Sequence, residues 1–313
     1  MENEVKIMSH KESYTPEEIA RLLKVSKLTV YDLIKKGQLS AFRVGRQMRV
    51  DAIELENYKL RGKEVKTDDG SSKQPTPDSS PSSSVVICGQ DNSLDILAGE
   101  LEKQINEMPL RSYTGSLDSL IGLYKGKANI VSTHLFDGDT GTYNIPYVRK
   151  LLVSKSFIVI GFIKRIAGFY VAKGNPKSIT SWPDLMKKGI TIVNREPGAG
   201  ARILLDEQFR LHDINKLQVA GYEQEMKSHL DIASAIASGK ADVGVGIEQV
   251  SKLAPVDFIP LIEESYDLVL LKNEENMQLI SAVRKILKSK DFQEKLRSLG
   301  YNMDNIGEIR WEQ

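Results

Sequence analysis

The sequence predicts an α/β chain in two folded units: a small one of three helices and a hairpin, then a large one of alternating strands and helices. Three observations predict it. A polar stretch rich in serine and proline, GKEVKTDDGSSKQPTPDSSPSSS at residues 62–84, interrupts the chain. Before it, apolar residues recur at helical spacing between capping signals. After it, short apolar runs alternate with helical patterns, the mark of parallel α/β architecture. The stretch cannot bury enough apolar area to offset its ordering entropy. We therefore expect domains at 1–62 and 85–313, with a disordered linker at 63–84.

The first unit opens with YTPEEIARLLKVSKLTVYDLIKKGQL. Thr15 suits the N-cap, Pro16 the first helical position, and Glu18 closes a capping box. Ile19, Leu22 and Leu23 form the apolar stripe. After the break Lys24-Val25-Ser26, Ser26 caps a second helix that buries Val30, Leu33 and Ile34. This helix carries Lys35 and Lys36 in its last turn and stops at Gly37. Two helices joined by three or four residues is helix-turn-helix spacing. AFRVGRQMRV then reads as a hairpin, 41–44 and 47–50, turning at Gly45-Arg46. Asp51 and Glu54 open a last helix running through Tyr58.

Charge locates the surface that would meet DNA. Residues 1–61 hold 12 Lys and Arg against 9 Asp and Glu. The acids gather on the outer helices, the bases on the second helix and hairpin. Lys27, Thr29, Tyr31 and Lys35 lie off the buried stripe, placed to enter a major groove. Arg43, Arg46 and Arg49 suit phosphates or the minor groove. The pattern T-x-E-x-A-x-L-L-x-V-S, V-Y-x-L-I-x-x-G-x-L, F-R-V-G-R-x-x-R resembles the excisionase-family helix-turn-helix, related to the winged helices of MerR-type regulators. The resemblance implies duplex DNA binding, with the second helix as reader and the hairpin as wing.

In the large unit the strand candidates are VVICG (85–89), ANIVS (128–132), FIVIGFI (157–163), GFYVA (168–172), ITIV (190–193), ADVGVGI (241–247), DFIPLI (257–262) and LVLL (268–271). Three strand ends run into small or hydroxyl residues that open helices: Gln90 to Ser93, Thr114-Gly115-Ser116, and Gly198-Ala199-Gly200. Ligands of open α/β sheets sit beyond such strand ends. Helix starts offer unpaired N–H groups and a partial positive charge, which favour an anion. Within NREPGAGARILLD we expect the N–H groups from Gly198 to Ala201 to cradle it, with Arg202 as charge partner in preference to Arg195. The turn is neither a P-loop nor a dinucleotide fingerprint, since no Gly-Lys-Ser/Thr follows and position 203 is Ile.

FIVIGFIKRIAGFYVAKGNPKSITSWPDL looks like the lobe crossover of type 2 periplasmic-binding-protein folds, with SYDLVLL as the return strand. With GSLDSLIGLYKGKANIVSTHLFDGDTGTYNIPYVRKLL, VNREPGAGARILLD and HLDIASAIASGKADVGVGIE it resembles one binding-protein-like family, fused elsewhere to helix-turn-helix and molybdopterin-biosynthesis domains. The resemblance implies a two-lobed sensor tied to molybdenum metabolism, for molybdate, tungstate or a cofactor-related anion. It places Ser116, His134, Asp137, Arg195, Gly200, Arg202 and His229 near the cleft. Ser93, Gly115, Gly198 and Ala201 come from the helix starts and Tyr266 from the return strand. Ala199 and Ala201 depart from the family pattern, which favours Ser or Gly and Thr there.

Gross properties narrow the function. A net charge of +1 gives no global field, so any basic surface is local. One cysteine, Cys88 in an apolar run, excludes a disulfide within the chain. The opening residues lack the apolar core of a signal peptide and no run is long enough to span a bilayer, so a cytoplasmic protein with no membrane contact is expected. His134 and His229 lack metal-pair spacing, and no nucleophile motif occurs, so neither metal, cofactor nor enzymatic activity is expected. The expected function is a one-component transcription regulator, a homodimer or higher homo-oligomer, with double-stranded DNA and a small anionic ligand as partners. The alternative is an excisionase-like architectural protein whose large domain docks a protein.

Overall fold

The computed structural model describes residues 13–23, 25–35, 39, 41–44, 47–52, 54–55, 58 and 84–313. The chain divides into compact units at Met1–Ser79 and Ser80–Gln313. The expected linker, except Ser84, lies outside the described residues, as do Lys36, Gly37, Gly45 and Arg46.

In the small unit β1 (Ser13–Tyr14) precedes α1 (Pro16–Leu23) and α2 (Lys27–Lys35). β2 (Phe42–Val44) and β3 (Gln47–Asp51) form the hairpin, and β1 adds a third strand to it. The caps are local chemistry. The Thr15 amide donates to the Glu18 carboxylate at 2.9 Å, and the Glu18 amide donates back to Thr15 Oγ1 at 3.4 Å. The Thr29 amide donates to Ser26 Oγ at 3.1 Å. Ile19, Ala20, Val30, Leu39, Val50 and Leu55 make the core. Leu22 departs from the expected stripe. It is 50% exposed, because Ala20 rather than Leu22 turns inward beside Ile19.

The large unit runs β4 (Val86–Cys88), α3 (Ser93–Ile105), β5 (Leu110–Ser112), α4 (Ser116–Tyr124) and β6 (Ile130–Thr133). A small hairpin, β7 (Phe136–Asp137) and β8 (Thr142–Tyr143), and α5 (Ile145–Leu151) follow. Then come β9 (Phe157–Ala172), β10 (Ile192–Arg195), α6 (Gly200–Leu211), β11 (Glu225–Met226), α7 (His229–Ala237), β12 (Val243–Ile247) and α8 (Glu248–Ser251). The chain closes with β13 (Val256–Leu271), α9 (Met277–Leu287), α10 (Lys290–Ser298) and β14 (Ile309–Glu312). The helices cover both faces of a sheet ordered β11-β10-β12-β9-β13-β6-β4-β5, with β14 also pairing β9. No helix among the described residues is long and apolar enough to cross a membrane.

The two strands expected at 157–163 and 168–172 are one strand of 16 residues, and so are those at 257–262 and 268–271. β9 and β13 pair antiparallel over their whole length, with register shifts at Pro260/Ile262 and Tyr266/Asp267. Their outer ends belong to lobe one: Ile158–Ile160 meets β14, and Asp267–Val269 meets β6. Their inner ends belong to lobe two, where Ala167–Val171 meets β12. Each lobe packs two apolar clusters, one on either face of its part of the sheet. Cys88 is a free, buried thiol in one of them. The crossover is Lys164 to Ile166 on β9 facing Glu263 to Ser265 on β13, with Arg165 and Glu264 in register.

Candidate binding cleft between the lobes

Polar side chains converge at the crossover. Arg165, buried on β9, pairs with Asp91 at 2.6 Å and with Glu264, and its guanidinium lies 4.2 Å from the Tyr266 ring centroid. Asp91 also accepts from the Ser93 amide and from the Tyr301 hydroxyl, each at 2.8 Å. Burial opposes the charge on Asp91, but Arg165 and these hydrogen bonds hold its pKa below the usual value. Glu264 moves the other way, because burial outweighs Arg165 and raises its pKa.

Beside this network a cavity of about 590 Å³ opens between the lobes. Asp91, Tyr113, Arg165, Tyr266 and Tyr301 line one side, and His229, Leu230, Ile247, Val250 and Leu253 the other. His134 spans its edge, with its ring centroid 5.2 Å from that of Tyr266 and its Nδ1 hydrogen-bonded to Ser116 Oγ at 3.1 Å. Burial, then Arg165, His229 and Arg195, pushes the His134 pKa well below 6.5. Burial, Arg195 and Arg165 do the same for His229. Both rings are therefore neutral at pH 7. His229 Nδ1 is buried and has no hydrogen-bond partner among the described residues.

The expected anion cradle is a seam where the lobes touch. Gly115, Ser116, Arg195, Ala199 and Gly200 line a void of only about 10 Å³ there. One water fits such a space, and a tetrahedral oxyanion of five heavy atoms does not. The Gly198 carbonyl points into the start of α4 and accepts from the Leu117 amide at 3.1 Å, taking the N–H an anion would use. A Cβ at Gly115 would stand 3.1 Å from that carbonyl, tighter than an ordinary contact, so the seam would have to give by a few tenths of an ångström to admit one.

Arg202 is not the charge partner expected. It is buried away from the cleft, 4.1 Å from the Tyr222 ring centroid and beside Asp206 and Glu225 at 3.5 and 3.6 Å. Its Nη1 donates to the Arg195 carbonyl. Being first-turn helical, it extends backward over the strand before the turn rather than forward over the N–H groups. Arg202→Ala should lower the Tm of residues 80–313 by several degrees, through the exposed Tyr222 face and two stranded carboxylates. It should leave cleft affinity unchanged, as a thermal melt and a calorimetric titration would show.

Arg195 does reach the seam, where Glu196 neutralises it at 2.6 Å and Gln90 of lobe one accepts from it at 2.6 Å. Ser93 opens α3 with its hydroxyl buried and without a partner among the described residues. Ala201 packs in the lobe-two core. Asp137 stands apart from His134 and accepts from the Thr140 amide and hydroxyl at 2.9 and 2.8 Å. Gln90, Asp91, Tyr113, Arg165, Lys227 and Tyr301 were missed. Of these, Arg165 carried a signal, a charge inside a continuous apolar run.

On the small unit, Lys27 pairs with Glu17 and lies 5.9 Å from the Tyr31 ring centroid. Thr29 Oγ1 meets Ser26 Oγ at 2.8 Å, so its hydroxyl completes the helix cap. Tyr31, Lys35 and Arg43 are exposed, while Arg49 is part-buried and donates to Ser13 Oγ at 3.2 Å.

A family model described as the PBP superfamily domain matches residues 98–288. The chain belongs to the PBP superfamily. Ahead of the PBP domain, a helix-turn-helix domain model matches residues 13–63. The uncharacterized protein YvgK of Bacillus subtilis (strain 168) is 49% identical over 308 residues, 96% of this chain and 99% of YvgK. A Clostridium pasteurianum protein from the 5′ region of a 2Fe-2S ferredoxin gene is 38% identical over 109 residues, 34% of this chain and 96% of its own length. Among solved structures, a substrate-binding protein of Clostridium perfringens with bound phosphate superposes with a TM-score of 0.52 at 15% identity, covering 70% of this chain and 99% of that one. These matches join a DNA-binding type of domain to the PBP fold, whose two lobes frame the cleft.

Proposed function

We propose that this protein is a one-component transcription regulator. The helix-turn-helix domain reads duplex DNA, and the PBP domain senses a small molecule in the cleft at its lobe crossover. The observation that carries the reading is the cavity of about 590 Å³ at the crossover, in a chain whose other domain is a helix-turn-helix. That volume lies within the range of organic-ligand sites, roughly 300–1,000 Å³. Ligand-driven closure would change how protomers pair, and with it the spacing of two DNA readers.

The resemblance to molybdenum-linked binding proteins offers molybdate, tungstate or a cofactor-related molecule. Charge and size favour the last of these. Arg165 is neutralised by two carboxylates and Arg195 by one, so neither of these two guanidinium groups at the cleft is left for a dianion. Neutral imidazoles and phenols suit a planar ring. Lys227 on the rim forms no ion pair among the described residues and suits a single anionic substituent.

A thermal-shift panel on residues 80–313 tests this with molybdate, tungstate, phosphate and pterin precursors of the molybdenum cofactor. A pterin at a hundred times its Kd should raise the Tm by about 5–10 °C. A response to molybdate and to no ring compound would overturn the organic-ligand reading. Failure of the full chain to shift any promoter fragment from its own genomic neighbourhood at low salt would overturn the regulator.

A further inference from the structure

On α2 the residues advance about 100° each. Val30 is fully buried, and Leu33 and Ile34 are half-buried beside it. The point diametrically opposite falls on Leu28. Its side chain is 80% exposed, the most exposed large apolar residue described in this unit. Tyr31, Asp32 and Lys35 share the outward face. The polar residues nearest it in sequence have other engagements, Lys27 with Glu17 and Thr29 with the Ser26 cap. An alkyl group thus stands at the summit of the helix that the helix-turn-helix architecture presents to DNA.

Leucine can neither donate nor accept a hydrogen bond, so it gains nothing from phosphates or from the amino and carbonyl edges of bases. The apolar group in the major groove is the C5 methyl of thymine. The surroundings favour DNA over an apolar protein surface. Leu28 sits in the first turn, at the positive end of the helix, with Lys35 and Arg43 exposed on the same unit. The Asp32 carboxylate farther along suits a cytosine amino group. We infer that Leu28 is a specificity-determining residue that contacts a thymine methyl in each half-site. This rests on the reading of the domain as a DNA binder.

The test uses the full chain and a duplex selected by it from a randomised library. Each thymine in turn is then replaced by deoxyuridine, which removes only the methyl. Wild-type affinity should fall about fourfold at one position per half-site, the worth of burying one methyl group. Leu28→Ala should bind the thymine and deoxyuridine duplexes equally, while Leu28→Met keeps the preference. Circular dichroism should show both variants folded, since the position is exposed. The inference is overturned if no deoxyuridine weakens wild-type binding, or if Leu28→Ala keeps the full penalty. It is also overturned if Leu28→Ala changes only the oligomeric state seen by light scattering, which would make Leu28 a protein contact. If selection enriches no duplex at all, the DNA-binding reading itself fails, an outcome distinct from binding without methyl dependence.

Discussion

Arg165→Met should lower the Tm of residues 80–313 by about 10 °C at pH 7. The substitution leaves Asp91 and Glu264 buried without a cation, and breaking a buried pair from one side costs roughly 3–5 kcal/mol. The loss should depend on pH with a definite sign. Without Arg165 the Glu264 carboxyl keeps only burial and the charge of Asp91, both of which raise its pKa, while Asp91 loses its cation but still accepts from Ser93 and Tyr301. Folding then takes up protons, so stability rises as pH falls from 7 toward 5. Adding Glu264→Gln should return part of the lost stability at pH 7 by removing one stranded charge. Melts at three pH values measure all of this. A Tm within two degrees of wild type at pH 7 would show that the ion triad contributes nothing net to the crossover.

Gly200→Ala should hold the two lobes apart. Gly200 opens α6 of lobe two against His134 of lobe one, and an added Cβ would stand 2.7 Å from the His134 carbonyl oxygen and closer still to its ring. Backbone cannot give way there without separating the lobes. We expect a larger radius of gyration by small-angle scattering. Affinity for whatever binds the cleft should fall about ten- to a hundredfold, the cost of overpacking a tight contact. Gly99→Ala is the control, since nothing stands within 4 Å of the added carbon on α3. It should leave shape and affinity alone and slightly raise the Tm. Equal radii for the two variants would mean that the seam is not a lobe contact in solution.

How much of this was legible in the sequence follows the range of the forces involved. The caps at Thr15 and Ser26 were readable because their partners lie three residues away. The lobe crossover was readable as a pattern, yet its strands were read as pairs of short ones. Lys164 and Arg165 look like a break when seen alone. What keeps them in a strand is Glu264, 99 residues further on, directly across the ladder. Arg202 misled for the same reason. Nearness to the glycine turn suggested an anion, but its ring partner Tyr222 and the carboxylate of Glu225 arrive from a later loop and strand. Tyr301, which reaches Asp91 from beyond the last helix, had no local signal at all.

The threading of the hinge sets an order of assembly during synthesis. Apart from β7 and β8, which precede it, lobe two is encoded from the inner half of β9 to the inner half of β13, so its cores are in hand once Ile262 has been made. Lobe one is encoded in two pieces. Its strands β4 to β6 emerge first, but their sheet and core wait for the outer half of β13, for α9 and α10, and for β14 at residues 309–312. At about 5–20 residues per second that wait lasts on the order of ten seconds. The lobe that leads in sequence is therefore the last to close, with Ile87, Ile130 and Leu97 uncovered at the ribosome while its inserted neighbour is already packed.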